Sequence, residues 1–236
     1  MDFPPLDPAS ILFEDHHLIA VNKPAPLLTQ APEGIPSLEG LVKAYIKVKY
    51  EKPAGVYLGI PHRLDQPVSG VIVFARNTKA AQRVHKQFQD RKVRKTYWAA
   101  VEGTVSPGEG VWEDWIRKIQ DEGRTVRAEP DEPGAKFARL AYRTVRSLEN
   151  GTLIEFAPET GRMHQLRVQS AWRGHPIFGD TTYGFPRPFG PEWDNPRDKT
   201  IALHARGLEL DHPFTRERLT LVAPLPAYWN DLGSPV

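Results

Sequence analysis

The 236-residue sequence has the pattern of an α+β protein, in which β-hairpins predominate and a few amphipathic helices separate them. β-prone apolar runs at 11–13 and 18–21 flank a short polar turn, which is typical of a hairpin. A second hairpin is indicated at Asn150-Gly151, a dipeptide that favours a tight turn between strands. Between the two hairpins, apolar residues recur at three- and four-residue spacing, as they do on helix faces. We expect one domain that spans residues 1–236.

Three helices are predicted from capping residues and apolar stripes. Ser37 can cap the first, and Asn77 or Thr78 can cap the second. Thr160 offers a cap for the third, which we expect to end at Arg173-Gly174. These helices supply apolar faces for packing.

Strands are predicted wherever β-branched and aromatic residues cluster. The run at 71–74 is apolar throughout and predicts a buried core strand. Further strands are expected at 95–103, 137–145 and 152–156, exposed hairpins at 108–134, and an irregular loop at 185–196.

Composition limits the class of protein. A hydrophobic content of 40% suits a globular core, and the net charge of +2 permits a polyanionic partner without requiring one. The chain has no cysteine, which excludes disulfides and thiolate chemistry and agrees with a reducing compartment. It shows neither a signal peptide nor an apolar stretch long enough for a bilayer. We expect a cytoplasmic monomer that is not associated with membranes.

The segment 62–70, His-Arg-Leu-Asp-Gln-Pro-Val-Ser-Gly, places charged residues directly before the core strand. In an extended chain Arg63 and Asp65 share one face, while Leu64 points to the other. Pro67 and Gly70 favour a turn, so Asp65 is predicted to lie on a turn that a buried strand supports. Considered alone, such an Asp beside an Arg is most often a structural ion pair.

A one-sided basic run follows the core strand. Residues 76–95 contain eight Lys or Arg and one acid, a net charge of +7. The run could be a solvated helix face, but charges that served only solubility would be of mixed sign. The imbalance favours contact with nucleic-acid phosphates.

Several motifs in order resemble those of the RluA-type pseudouridine synthases. Residues 62–70 resemble the HRLDxxTSG signature, with Val68 where Thr is usual. Residues 94–99 resemble the RKxYxA pattern, and 160–168 the TGRxHQ(L/I)RV motif. The elements at 22–24, 175–184 and 203–213 also match, although Pro26 stands where the family usually has Gly. The resemblance spans about residues 11–226.

This resemblance implies a long, mixed, mostly antiparallel sheet with flanking helices and a central RNA-binding cleft. It implies conversion of uridine in RNA to pseudouridine without a cofactor or metal. Asp65 would be the catalytic aspartate, which attacks the sugar, attacks the base or assists an elimination. Tyr97 would stack on the base and could also transfer a proton, and Arg167 would pair with Asp65 and keep it ionised. The uridine would have to leave its stack, and Arg63 would help to fill the vacated space.

The resemblance also suggests residues that contact RNA. These expected contacts are His62, Arg63, Arg91, Lys92, Arg94, Lys95, Arg162, His164 and Gln165. Because the first predicted strand begins near Ile11, we expect no upstream RNA-binding domain. A stem-loop of ribosomal RNA or tRNA is the expected substrate.

Two other classes of function were weighed. A metal-dependent phosphoesterase could use His62, Asp65, His164, Asp180 and His204, but their spacing is not that of metal ligands. A non-catalytic RNA-binding module would explain the basic run equally well. Against a non-catalytic module, Asp65, Tyr97 and Arg167 are all present in their motifs, as a catalytic protein requires. For His175, His204 and His212 a structural role is expected.

Overall fold

The computed structural model describes residues 4–195 and 198–233, and the chain forms two compact units. The first unit comprises Met1–Arg94 and Ala205–Leu225, and the second comprises Lys95–His204 and Pro226–Val236. Each unit has its own strands and helices.

The sheet of the first unit has the strand order β1, β2, β3, β9, with β10 beside β9. β1 pairs with β2, β2 with β3, and β10 with β9, all antiparallel. The predicted hairpin at the start of the chain is therefore confirmed. The bounds are β1 Ile11–Glu14, β2 Leu18–Lys23, β3 Ser69–Ala75, β9 Leu203–Asp211 and β10 Arg218–Val222.

Two capped helices belong to this unit, α1 (Leu38–Lys49) and α2 (Thr78–Gln89). Ser37 Oγ accepts a hydrogen bond from Gly40 N, and Asn77 Oδ1 accepts one from Ala80 N. Both predicted helices are confirmed. Such a cap stabilises a helix by about 1 kcal/mol.

The core strand β3 is buried along all seven residues, as the apolar run predicted. Gly70 within it has φ 117°, and a Cβ there would lie 2.4 Å from the Ala205 carbonyl oxygen on β9. Only glycine fits this close approach, so Gly70 sets how tightly β9 lies against β3.

The second unit contains an antiparallel sheet with the order β4, β8, β7, β5, β6. The predicted hairpin at Asn150 joins β7 to β8 and is confirmed, as is the β5–β6 hairpin within 108–134. The bounds are β4 Arg94–Glu102, β5 Glu109–Ile119, β6 Arg124–Ala128, β7 Lys136–Leu148 and β8 Gly151–Pro158.

Helix α3 (Gln165–Trp172) begins differently from the prediction but ends as expected. Its N-cap is His164 in the left-handed region, with φ 52° and no side-chain cap. The prediction that Thr160 caps this helix was wrong. The Thr160 hydroxyl instead accepts a hydrogen bond from Arg139 N on β7, so it fastens the preceding loop to the sheet.

The described part of the predicted loop 185–196 contains neither helix nor strand, in agreement with the prediction. A single antiparallel bridge joins Phe189 to Thr200. Pro196 lies outside the described residues.

Candidate active site

Asp65 lies on a turn of the first unit, directly before β3. Val68 N donates to the Asp65 carbonyl at 3.1 Å, Leu64 is buried, and Arg63 is exposed. The turn predicted from Pro67 and Gly70 is therefore confirmed. Asp65 itself is half-buried.

Thr29 fixes the backbone on the N-terminal side of Asp65. Its hydroxyl donates to the Leu64 carbonyl at 2.8 Å and accepts from the Leu64 amide at 3.1 Å. Thr29 is itself buried, so water competes little for these bonds. Thr29 and Leu64 are 35 positions apart, so the sequence has no local signal for this contact.

Lys23 fixes the other side of Asp65 from a fully buried position at the end of β2. Its ammonium donates to the carbonyls of Pro24, Leu27 and Gln66, at 3.1, 2.5 and 3.2 Å. Burial lowers the pKa of Lys23 to about 7, and the charge of Asp65 partly opposes this shift.

The buried position of Lys23 was missed in the sequence, where residues 22–24 were interpreted as the end of a strand and as a match to a family motif. The signal that could have indicated this burial is a lysine at the end of an apolar strand. A lysine in that position can be buried, and a buried ammonium needs hydrogen-bond acceptors nearby.

His62, a predicted RNA contact, has structural partners in the first unit. Its Nε2 accepts a hydrogen bond from Val73 N at 3.1 Å, and its ring stacks on Phe88 at 4.8 Å. These contacts connect the turn to β3 and α2. Its contact with RNA stays a prediction.

Several cations of the basic run have partners within the protein. Arg76 pairs with Glu14, Arg83 donates to the Pro213 carbonyl, and Lys86 pairs with Asp90. Arg83 and Lys86 are nevertheless exposed, as is Lys79, so the expected contact of the basic run with phosphates stays a prediction. The cations that follow α2 are exposed, namely Arg91, Lys92 and Arg94.

Tyr97 lies on β4 in the second unit, half-buried and opposite Phe156 of β8. Lys95 precedes it by two residues and shares its face of the strand. Burial lowers the pKa of Lys95. A Cβ on Gly161 would lie 3.7 Å from Lys95 Nζ, so this ammonium reaches the loop before α3.

Arg167 is buried on α3 and forms a bidentate ion pair with Asp180, which is also buried. Its Nε donates to Asp180 Oδ2 at 2.6 Å and its Nη2 to Oδ1 at 2.9 Å. The guanidinium carbon lies 5.0 Å from the ring centroid of Tyr183. Sequence reasoning named Asp65 as the partner of Arg167, and that pairing stays a prediction; Asp180 as a partner was missed.

The loop before α3 is held by Gln165, whose side chain is buried. Its Oε1 accepts from Arg162 N and the Thr160 hydroxyl, and its Nε2 donates to the Arg139 carbonyl. His164 Nδ1 lies 2.9 Å from the Tyr183 hydroxyl. Contacts of Arg162, His164 and Gln165 with RNA stay predictions. The hydrogen bonds of the Gln165 amide stabilise the loop before α3.

The three later histidines have the structural surroundings expected of them. His175 Nδ1 lies 2.8 Å from the Glu102 carbonyl oxygen, and His212 Nε2 lies 2.9 Å from Asp15 Oδ2. His204 is fully buried, with its ring edge-on to Trp229.

Within residues 4–195 and 198–233, no three His, Asp or Glu side chains are grouped as metal ligands. No helix in these residues is long and apolar enough to cross a bilayer.

Comparison with known proteins identifies the family. Residues 17–172, more than half of the chain, match the RNA pseudouridylate synthase family. The chain belongs to this family. The resemblance to RluA-type pseudouridine synthases is thereby confirmed, and the chain is an RNA pseudouridine synthase, which is an isomerase.

Individual relatives of this pseudouridine synthase agree along most of its length. It is 34% identical over 221 residues to the ribosomal large subunit pseudouridine synthase C of Rickettsia bellii, covering 93% of this chain and 69% of the relative. It is 33% identical over 236 residues to the tRNA pseudouridine synthase C of Vibrio parahaemolyticus, covering 94% of this chain and 92% of the relative.

A solved structure confirms the predicted α+β pseudouridine synthase fold. Human RNA pseudouridylate synthase domain containing 4 superimposes with a TM-score of 0.76 at 28% identity, covering 94% of this chain and 90% of that chain.

Proposed function

We propose that this pseudouridine synthase isomerises specific uridines in a structured ribosomal RNA or tRNA, with Asp65 as the catalytic aspartate. The observation that carries the proposal is the fixing of the Asp65 turn on both sides. Lys23 holds the Gln66 carbonyl and Thr29 holds both backbone groups of Leu64. Buried groups thus orient the backbone of a half-buried carboxylate, which is the preorganisation that a catalytic group requires.

The reaction is balanced without a cofactor. The bond between N1 of uracil and C1′ of ribose breaks, the base turns, and C5 bonds to C1′. C5 loses a proton and N1 gains one, so nothing is oxidised or reduced. An ionised Asp65 beside the sugar would stabilise positive charge at C1′ while the first bond breaks.

We assign Tyr97 and Arg167 to the same reaction. Tyr97 would stack on the extruded base, a role that suits a half-buried aromatic ring on a strand. Arg167 would keep Asp65 ionised by charge-assisted hydrogen bonding. Its two bonds to Asp180 use two of the five N–H donors of a guanidinium.

The RNA backbone would contact the exposed cations after α2, which are Arg91, Lys92 and Arg94. The exposed Arg63 would fill the space that the flipped base leaves. The remaining proposed contacts are His62, Lys95, Arg162, His164 and Gln165.

We further propose that the two units form one catalytic domain and that the enzyme acts as a cytoplasmic monomer. The family match supports the first part, because residues 17–172 include segments of both units. The absence of cysteine from the sequence agrees with a reducing compartment.

Pseudouridine profiling of total RNA tests the substrate proposal. Profiles would be compared between cells with the gene, cells without it, and cells that express only the Asp65→Asn variant. We expect specific ribosomal RNA or tRNA sites to lose pseudouridine in the last two. Unchanged profiles across growth conditions would contradict the proposal.

A further inference from the structure

Tyr183 ends a short helical turn whose N-cap residue, Asp180, is the ion-pair partner of Arg167. The turn covers Thr181–Tyr183, and Tyr183 N donates to the Asp180 carbonyl at 3.0 Å. The Tyr183 ring packs against a buried cluster that consists of Ile116, Ala138 and Val168. The turn therefore places Asp180 and Tyr183 on the same side of α3.

The Tyr183 hydroxyl is fixed by three polar contacts. It accepts from Thr125 N at 2.9 Å, donates to the Thr125 carbonyl at 3.1 Å, and lies 2.9 Å from His164 Nδ1. A hydroxyl has one proton and two acceptor sites. When its proton goes to Thr125, His164 must donate through Nδ1. These contacts join β6 to the residue that starts α3 and hold the ring in place.

The ring and the carboxylate restrain different motions of Arg167. Asp180 binds the edge of the guanidinium through two parallel hydrogen bonds. The guanidinium carbon lies over the Tyr183 ring, 5.0 Å from the ring centroid. Two hydrogen bonds to one carboxylate leave the guanidinium able to move out of the plane of those bonds. A ring in contact with the guanidinium limits that motion.

We propose that Tyr183 is a positioning residue for pseudouridine formation, which restrains the Arg167 guanidinium. This inference rests on the proposed role of Arg167 in the reaction. Small displacements of an orienting group can slow a reaction about a hundredfold, so loss of the ring should affect the chemical step more than RNA binding.

Single-turnover rates with saturating enzyme test this inference, alongside RNA affinity and thermal melting. Tyr183→Leu removes the ring, and Tyr183→Phe keeps the ring but removes its hydroxyl anchor. The matched control is Tyr142→Phe, since Tyr142 is a buried tyrosine whose hydroxyl donates to the Pro107 carbonyl. We expect Tyr183→Leu to be roughly ten- to a hundredfold slower, Tyr183→Phe several-fold slower, and Tyr142→Phe unchanged, with similar RNA affinity throughout.

A double-mutant cycle separates positioning from a general structural effect. If Tyr183 acts through Arg167, Tyr183→Leu combined with Arg167→Lys should be no slower than Arg167→Lys alone. Rates that multiply, or Tyr183 variants as fast as Tyr142→Phe, would overturn the inference. If the single-turnover rate is low for Arg167→Lys but wild-type for the Tyr183 variants, only the positioning role of Tyr183 is overturned. A wild-type rate for Arg167→Lys would contradict the proposed role of Arg167, and the positioning role with it.

Discussion

At the scale of single residues, the backbone around Asp65 depends on a lysine that the solvent does not reach. Lys23 donates to three carbonyl oxygens, one of which belongs to Gln66, the neighbour of Asp65. Its low pKa follows from burial, because removing an ammonium from water favours the neutral amine. The conformation of the Asp65 turn therefore depends on a buried lysine of β2 that is distant from Asp65 in the sequence.

Replacement of this lysine gives the first prediction. Lys23→Met should lower the free energy of unfolding by roughly 1–3 kcal/mol at neutral pH, because buried carbonyls lose their donor. Turnover should also fall, since the Gln66 carbonyl is released. Urea unfolding and a turnover assay measure the two effects, and unchanged values for both would contradict this account of Lys23.

The pH dependence of stability, compared between wild type and Lys23→Met, gives the second prediction. The pKa of Lys23 is about 7 in the folded protein and 10.5 as the reference value, so the unfolded chain binds more protons between these values. Stability therefore rises with pH across this window. The stability of wild type relative to Lys23→Met should increase from pH 7 to pH 9 in urea unfolding. A difference that does not change with pH would show that Lys23 stays charged when folded.

The ion pair of Arg167 gives the third prediction. Arg167→Ala leaves the Asp180 carboxylate buried without its partner and should destabilise the protein by about 3–5 kcal/mol. The double variant Arg167→Met with Asp180→Leu removes both charges and should recover much of this loss, without recovery of turnover. Chemical denaturation measures the stabilities. A double variant as unstable as Arg167→Ala would argue against the buried pair as the cause.

At the scale of elements, the exposed loop after α2 is the proposed contact with the RNA backbone. Replacing Arg91, Lys92 and Arg94 by Gln should weaken RNA binding and lower the slope of log affinity against log salt by roughly two, because each phosphate contact releases counterions.

The matched control for that loop replaces three lysines near α1, which are Lys43, Lys47 and Lys52, by Gln. These changes remove the same charge outside the proposed interface and should leave the salt slope nearly unchanged. Equal slopes for the two triple variants would remove the loop from the interface.

Elements with local signals were predictable, and those set by distant contacts were not. The caps at Ser37 and Asn77 use residues within the first helical turn, so the sequence alone indicated them. The start of α3 was misjudged, because His164 takes a left-handed conformation that Tyr183 and the loop help to hold. Apolar periodicity contains no information about such contacts.

The same limit applies to the candidate site. The motifs indicated Asp65, Tyr97 and Arg167 together with the family, because each motif is contiguous in the chain. The residues that position these side chains lie outside the same motifs. Lys23 and Thr29 hydrogen-bond to the backbone of the Asp65 turn, and Asp180 pairs with Arg167. Contacts between residues distant in sequence have to be seen in a structure.

At the scale of the whole molecule, the account depends on one carboxylate. Asp65→Asn keeps nearly the same shape but removes the negative charge. Since its turn is held by Lys23 and Thr29 through backbone groups, the fold and RNA affinity should change little.

Tritium release from RNA labelled at C5 of uridine tests this claim most directly. The control is Asp121→Asn, since Asp121 is an exposed residue between β5 and β6 with φ 68°, a conformation that asparagine tolerates. We expect release at background for Asp65→Asn and at the wild-type rate for Asp121→Asn, with unchanged melting and RNA binding. Release by Asp65→Asn at the wild-type rate would contradict the assignment of Asp65 as the catalytic aspartate.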